Sequence, residues 1–246
     1  MEVVLEKIRP HTSSTLAHQK APATLLHALE ATFREQNAEG TPTAYFAALL
    51  TTIEATLQKG DVDLGDGDIL PAELYLLALV IPFVSQPIIR TNLNTLLSLT
   101  RPLFPSLIHH APPLRSQLTI YQTIFQSLDR SQLDTPGIRQ AFASILHLCL
   151  DSRPKVRRKA AEVVKDVLAA PPTPLSRHPY AHQVADWTKS ALADASEGAL
   201  IRIKSSGKSS EAPAAEVAIH ILAFLRPVFR NLPPLVSQAS FECLYF

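Results

Sequence analysis

Glycine and cysteine are scarce in this chain: its 246 residues include only 7 glycines and 2 cysteines. β-Hairpins, nucleotide-binding loops and tight active-site turns depend on glycine, so the scarcity disfavours all three. No segment alternates apolar and polar residues for long enough to predict a β-strand. Two cysteines without an evident pairing fit a reducing compartment. Cys149 lies in the apolar segment ILHLCL and is predicted to be a small core residue, whereas Cys243 lies near the end of the sequence.

The chain also lacks a strong net charge and a long apolar run. Its formal net charge is +1, so no global field attracts nucleic acid and any basic effect must be local. The longest uncharged apolar run, Leu74–Val84, is too short to cross a bilayer, which takes ~20 residues. Met1 is followed by charged residues and not by the apolar region of a signal peptide. We therefore expect a soluble intracellular protein.

Acidic residues are absent from a long central stretch, Leu74–Leu128, whose full charges are Arg90, Arg101 and Arg115 alone. One interpretation is a set of helices that are buried on several sides. The other is a weakly charged surface that docks a partner or a later part of the same chain.

Proline, by contrast, is abundant, with 20 residues, and often precedes an apolar-periodic segment. Thr41-Pro42 and Thr135-Pro136 are typical, because threonine is a good N-cap and proline fits the first helical position. Pro102 and Pro105 predict a kink or break near Leu99–Arg101. Nine helices are predicted, at residues 22–36, 42–59, 71–83, 87–109, 113–128, 136–150, 154–169, 179–195 and 214–231.

This succession of helices predicts an all-α fold class, a HEAT/armadillo-like α-solenoid of about four antiparallel helix pairs. The pairs recur at roughly 40–50 residues, which is the range of HEAT and armadillo repeats. We expect residues 1–246 to form one continuous solenoid. The polar sequence KSSGKSSEAP predicts a disordered insertion at residues 204–213.

The clearest helical pattern runs from Asp151 to Leu168 and reads DSRPKVRRKAAEVVKDVL. Pro154 stands where the first helical residue is expected. The order of residues is typical of the second helix of a HEAT repeat: an acidic residue, then Val-Arg, then paired alanines, then paired valines. Such proteins seldom carry catalytic groups and instead offer long surfaces to partners. Apolar residues recur on one face of this helix: Val156, Ala160, Val163, Val164, Val167 and Leu168.

Five cations at the start of this helix are the candidate partner- or RNA-binding residues. They have two interpretations: a solvated helix face with structural contacts, or a patch that faces phosphates or an acidic partner. In the structural interpretation, Arg157 or Arg158 would contact Asp151. Successive helical residues differ by about 100°, so the five cannot all face one ligand, and three are predicted to share a face: Lys155, Arg158 and Lys159. The full set is Arg153, Lys155, Arg157, Arg158 and Lys159.

No catalytic residue, metal site or cofactor is predicted. The acidic loop at residues 60–68 lacks the glycine and the bidentate glutamate of a calcium loop. His178 and His182 are four residues apart, but Pro179 makes His178 a helix cap rather than a partner of His182 on one face. Trp187 lies on a predicted core stripe. The sequence has no Gly-x-Ser-x-Gly motif, no P-loop and no convincing carboxylate pair, so it does not predict an enzyme.

Two segments carry a family resemblance: Leu148–Pro172 (LCLDSRPKVRRKAAEVVKDVLAAPP) and Leu5–Glu30 (LEKIRPHTSSTLAHQKAPATLLHALE). Together they resemble the N-terminal region of the ribosomal RNA-processing protein 12 family, large HEAT-repeat factors of eukaryotic ribosome assembly and export. The resemblance implies binding to precursor ribosomal particles and assembly factors, with rRNA, Ran GTPase and nucleoporins as further partners. It also implies a location in the nucleolus and nucleus with shuttling to the cytoplasm, and full-length relatives several times longer.

Two other functions stay open at this point. One is a nuclear transport receptor or adaptor that binds a small GTPase or nucleoporin repeats in grooves between helices. The other is an unrelated HEAT scaffold, such as a phosphatase or chromosome-complex subunit.

The last residues suggest a solenoid that continues. An apolar stripe from Phe224 to Leu232 is followed by FECLYF, with no polar closing helix. We expect FECLYF either to begin a further repeat or to be the remnant of a protease tag.

Overall fold

The computed structural model describes residues 1–60, 63–205 and 212–233, and every regular element in these ranges is helical. The prediction of an all-α chain is therefore confirmed. The chain divides into two compact units, Met1–Leu128 and Asp129–Phe246. That the whole chain is one continuous solenoid stays a prediction.

The first unit contains eight α-helices in its described part. Helix α4 contacts α2, α3 and α8, and thus holds the centre of the unit. The helices are α1 Glu2–Leu5, α2 Ala17–Glu35, α3 Pro42–Gln58, α4 Ile69–Val80, α5 Gln86–Thr91, α6 Leu93–Thr100, α7 Phe104–Leu107 and α8 Ala111–Ser127.

The second unit contains five α-helices in its described part. Helix α11 packs against α10 and α13, and α13 also packs against α12. The helices are α9 Arg130–Leu133, α10 Pro136–Leu148, α11 Pro154–Ala169, α12 Ala181–Ser205 and α13 Ala212–Val228. None of the helices in the described ranges is long and apolar enough to span a membrane.

The N-terminal segment differs from its prediction. Pro22 was expected to open a helix, but α2 begins five residues earlier, at Ala17, with Pro22 inside it. An ionic cluster holds the preceding turn against this helix: the Arg9 guanidinium contacts the Glu30 carboxylate at 2.8 Å, and the Tyr45 hydroxyl donates to the same carboxylate at 3.0 Å. Burial, aided by the Glu30 charge, raises the pKa of Tyr45 to about 12. The predicted helix start was wrong because this tertiary anchoring outweighs the local proline signal.

The predicted helix at 87–109 is broken at two places. The break expected near Leu99–Arg101 is confirmed, because α6 ends at Thr100 and a 3₁₀ turn follows. A second break at Asn92 was not predicted. There the Asn92 side-chain amide donates to the Ile88 carbonyl at 2.9 Å, competing with the backbone for an acceptor four residues back.

A buried polar contact closes the break after Thr100. The α-helix ends here, and the Gln117 side chain of α8 donates to the Thr100 carbonyl at 2.6 Å. The Thr100 hydroxyl donates to the Leu96 carbonyl and contacts the Tyr121 hydroxyl at 3.0 Å. Part of the acid-free stretch is packed between helices, while other residues of it, such as Tyr75, Phe83 and Ile108, are exposed, so both interpretations of the stretch stay open.

The stripe predicted on residues 154–169 is confirmed. All six of its apolar residues are buried, and Pro154 occupies the first helical position of α11. Cys149 is fully buried beside this helix pair, as predicted, and burial raises the pKa of its thiol. Residues 206–211 of the predicted insertion and the FECLYF segment lie outside the described residues.

The register of α11 gives a stability prediction. Val164 is fully buried, whereas the neighbouring Lys165 side chain is 50% exposed. We expect Val164→Asp to lower the free energy of unfolding by about 3–5 kcal/mol, because it buries an unpaired charge. Lys165→Glu should change it by less than about 1 kcal/mol. Thermal unfolding of both variants measures the difference, and equal melting temperatures would contradict this register.

Glu73 gives a second prediction, on pH dependence. The residue is only 1% exposed; its Oε1 accepts a hydrogen bond from Thr56 at 2.9 Å, and its Oε2 has no partner among the described residues. Burial raises the pKa of Glu73 from 4.5 to about 7. Between these two values the unfolded chain ionises while the folded chain stays protonated, so the folded state loses stability as the pH rises.

We therefore expect Glu73→Gln to stabilise the chain by up to about 3 kcal/mol at pH 8 and to have little effect at pH 4. Chemical denaturation at the two pH values measures this. Glu54→Gln, an exposed change on α3, is the matched control. Identical pH profiles for the two variants would contradict the prediction.

Candidate functional site

The five candidate cations lie where the α10–α11 connection enters α11, and Asp151 organises that connection. Its Oδ1 accepts hydrogen bonds from the Arg153 backbone amide and from Arg153 Nε, both at 2.8 Å, while its Oδ2 accepts from Arg153 Nη2 at 2.7 Å. The Arg153 hydrogen bonds hold the pKa of the Asp151 carboxyl below its usual range, and the nearby Arg157 charge acts in the same direction. Arg153 thus stabilises the turn between α10 and α11.

Arg157 also stabilises this connection. Its Nη1 donates to the Asp151 carbonyl at 2.7 Å and to the Ser152 carbonyl at 3.3 Å. The sequence predicted that Arg157 or Arg158 would contact Asp151, and Arg157 makes the contact. It does so through the backbone carbonyl, because Arg153 occupies the carboxylate.

The three cations predicted to share a face differ in what they contact. Lys155 is exposed and forms no hydrogen bond or ion pair with any described residue. Arg158 is exposed, and its Nε makes only a long contact, 3.4 Å, with the Pro154 carbonyl. Lys159 is half-buried and pairs with Glu162 at 3.2 Å. Lys155 and Arg158 are therefore the two members of the set best placed to meet a ligand.

The electrostatic setting of these two cations is unusual for a helix start. The first turn of α11 contains no acidic residue, although the helix dipole makes that end positive and favours negative charge there. Arg153 and Arg157 are compensated by Asp151 and by carbonyl oxygens. At Lys155 and Arg158 the positive potential of the helix dipole adds to the positive charge of the side chains, so this surface favours anions.

The other residues considered in the sequence have structural roles. His178 is buried, and its Nδ1 accepts a hydrogen bond from the Tyr180 amide at 3.2 Å, which confirms it as a cap before α12. Burial lowers the pKa of His178 to about 4. Trp187 packs edge-on against Phe224 with ring centroids 5.5 Å apart. Within the described ranges, no group of three or more His, Cys, Asp or Glu residues could hold a metal ion.

A groove in the first unit was missed by sequence reasoning. It has a volume of about 820 Å³, and its lining includes Tyr75 and Arg115. Two signals in the sequence point to it in retrospect: the lack of acidic residues in Leu74–Leu128, and an apolar spacing of four residues through Pro71, Tyr75 and Leu79.

Comparison with known proteins identifies relatives across fungi and vertebrates. The chain is 26% identical over 204 residues to Ribosomal RNA-processing protein 12 of Saccharomyces cerevisiae, covering 78% of this chain and 16% of the yeast protein. It is 25% identical over 248 positions to the RRP12-like proteins of Gallus gallus and Homo sapiens, covering 98% of this chain in each case. The chain spans only 18% and 17% of those two relatives.

A family model described as RRP12-like, N-terminal HEAT repeats, matches residues 7–244, nearly the whole chain. The match contains the segment Leu148–Pro172 and all of Leu5–Glu30 except its first two residues, and it agrees with the helical fold. The chain therefore belongs to the RRP12-like family and corresponds to its N-terminal HEAT repeats.

Proposed function

We propose that this chain is a non-catalytic HEAT-repeat scaffold of ribosomal RNA processing, which binds precursor ribosomal particles through the exposed cations of α11. One observation carries the proposal: Lys155 and Arg158 lie uncompensated at the positive end of a helix. Such an arrangement is suited to phosphate oxygens, which RNA presents along its whole backbone.

The names of the relatives support a role in ribosomal RNA processing, but they say nothing about a contact between α11 and RNA. They refer to ribosomal RNA processing, and each relative is several times longer than this chain. We propose by family resemblance that the full protein acts in the nucleolus and nucleus and supports subunit export. Contacts with Ran GTPase and nucleoporins, and shuttling to the cytoplasm, stay predictions from the resemblance.

The geometry divides the five candidate cations into two groups. Arg153 and Arg157 stabilise the turn before α11, so their loss would act on the fold. Lys155 and Arg158 would contact phosphate, and Lys159, which pairs with Glu162, would add to the local potential. Phosphate contacts of this kind position a protein on RNA without reading its sequence.

The binding role is tested by the double variant Lys155→Glu and Arg158→Glu. We expect affinity for a precursor rRNA fragment to fall by about ten-fold or more. The slope of log affinity against log salt concentration should become shallower by about 1 for each phosphate that the variant no longer binds. Fluorescence anisotropy at several salt concentrations measures both quantities. Co-sedimentation of the variant with precursor particles from cell extract tests the larger assembly.

The matched control is Lys165→Glu with Lys189→Glu, which makes the same change in net charge at two exposed lysines of the same unit. We expect the control to lose much less affinity. An unchanged affinity in a folded Lys155/Arg158 variant, or an equal loss in the control, would contradict the proposed patch.

Arg153 gives a prediction that separates fold from binding. Arg153→Gln should lower the free energy of unfolding by about 1 kcal/mol at pH 7, because it leaves the Asp151 carboxylate, 11% exposed, without its ion pair. The lowered pKa means that this contribution is present above the ordinary aspartate range and is lost as the pH falls through the folded-state pKa. The difference between wild type and variant should therefore shrink toward pH 3.

Chemical denaturation at pH 7 and pH 3 measures this difference. Arg139→Gln, at an exposed position on α10, serves as the control. A destabilisation that does not change with pH would show that the Asp151 ion pair is not its source.

A further inference from the structure

The groove in the first unit lies apart from the α11 patch in sequence and is built entirely from residues 4–116. Its lining comes from α4, the start of α8, the N-terminal segment and the start of α2. The loop at residues 64–68 also lines it. Gly67 fixes that loop close to α2: its φ is +98°, and a Cβ there would lie 2.8 Å from the Cβ of Ala17. The volume, about 820 Å³, is in the range of clefts that bind ligands, ~300–1,000 Å³.

The α4 side of the groove is apolar. Pro71, Tyr75 and Leu79 line it at intervals of four residues, so they follow one face of the helix. Tyr75 is 42% exposed, although most large apolar side chains of this unit are buried. An aromatic ring in this position offers contact area to an apolar side chain from outside the unit.

The α8 side of the groove supplies an unsatisfied donor. The Nε of Arg115 is buried and has no hydrogen-bond partner among the described residues. The sequence from Leu74 to Leu128 contains no carboxylate that could pair with it. A buried N–H that lacks an acceptor costs about 1–3 kcal/mol, so the guanidinium is not fully satisfied within the unit. Arg115 as a whole is part-exposed and lines the groove, so a ligand acceptor would meet its guanidinium there.

The remaining charges of the groove favour a protein ligand over a nucleic acid. Lys7 is the other full cation in the lining, and two carboxylates, Asp66 and Asp68, lie in the loop at residues 64–68. The Asp68 carboxylate accepts a hydrogen bond from the Gly65 amide, so it is engaged within its own loop. Two cations beside two carboxylates and an apolar wall suit a single carboxylate on an apolar segment far better than a run of phosphates.

We propose that this groove binds a short segment of a partner protein in which an acidic residue stands among apolar side chains. The carboxylate of the segment pairs with the Arg115 guanidinium, and an apolar neighbour packs on Tyr75. Arginine suits this role because its planar group donates two parallel hydrogen bonds to one carboxylate. The proposal does not depend on the α11 patch, which belongs to the other unit.

A phage-displayed library of random 12-residue peptides, selected on the purified 246-residue chain, tests the proposal. We expect enrichment of peptides that combine Asp or Glu with Leu, Ile or aromatic residues. An enriched peptide is then synthesised with a fluorophore and titrated with the wild-type chain by anisotropy. No enrichment, or enrichment of basic peptides, would overturn the proposal.

Variants then locate the binding site. Arg115→Gln should weaken binding of the selected peptide at least ten-fold, and Arg115→Lys should weaken it less, because lysine keeps the charge but loses the two-pronged geometry. Tyr75→Ser changes an exposed side chain and should also weaken binding without affecting the melting temperature. Arg101→Gln is the control, since it removes a cation of the same acid-free stretch that does not line the groove.

Each alternative has a distinct outcome. Equal weakening by Arg115→Gln and Arg101→Gln would show a diffuse charge effect and would reject the groove. Binding of single-stranded oligo(U) RNA that is lost in Tyr75→Ser, without enrichment of any acidic peptide, would assign the groove to nucleic acid and reject a peptide ligand. Binding that is abolished in Lys155→Glu with Arg158→Glu, but kept in Arg115→Gln, would place the peptide on the other unit.

Discussion

Burial of one apolar stripe on each helix is the interaction on which the rest of this structure depends. In α11 the six stripe residues, from Val156 to Leu168, are almost completely buried. A fully buried aliphatic side chain contributes ~1.5–3 kcal/mol, whereas an exposed ion pair contributes ~0–1 kcal/mol. The stripe therefore sets the rotation of the helix about its axis, and the charged residues lie on the remaining faces. The exposure of Lys155 and Arg158 follows from the positions of valines and alanines.

Helix ends impose a second constraint, because each one leaves backbone groups without helical partners. The Thr41 hydroxyl accepts from the Ala44 amide at the start of α3, and the His178 ring accepts from the Tyr180 amide before α12. At the end of α6 a side chain from another helix takes part, since Gln117 of α8 donates to the Thr100 carbonyl. Prolines thus divide the chain into many short helices. Side chains near the helix ends then form hydrogen bonds with backbone groups at those ends.

The sequence was sufficient for features governed by periodicity and by proline. The stripe of α11, the helix starts at Pro42, Pro136 and Pro154, and the break after Thr100 all have local causes. Features with tertiary causes could not be predicted. Helix α2 begins before Pro22, and the Arg9–Glu30 pair anchors the turn that precedes it. The five candidate cations fall into two groups because Arg153 occupies the Asp151 carboxylate. A helical wheel groups residues by angle, but it does not show which long side chain folds back onto the chain.

The two segments that carried the family resemblance are largely concerned with folding. In the first, Arg9 and Glu30 join the N-terminal turn to α2, and in the second, Asp151, Arg153 and Arg157 close the turn before α11. Contacts of this kind serve the fold, so a match to these two segments identifies the architecture more directly than it identifies a ligand. Among the described residues, these folding contacts leave Lys155 and Arg158 exposed on one unit, and Tyr75 is exposed on the other. Exposed residues of this kind contribute little to the buried stripes. In a scaffold of packed helices they can therefore be substituted, and the binding surface altered, without loss of the fold.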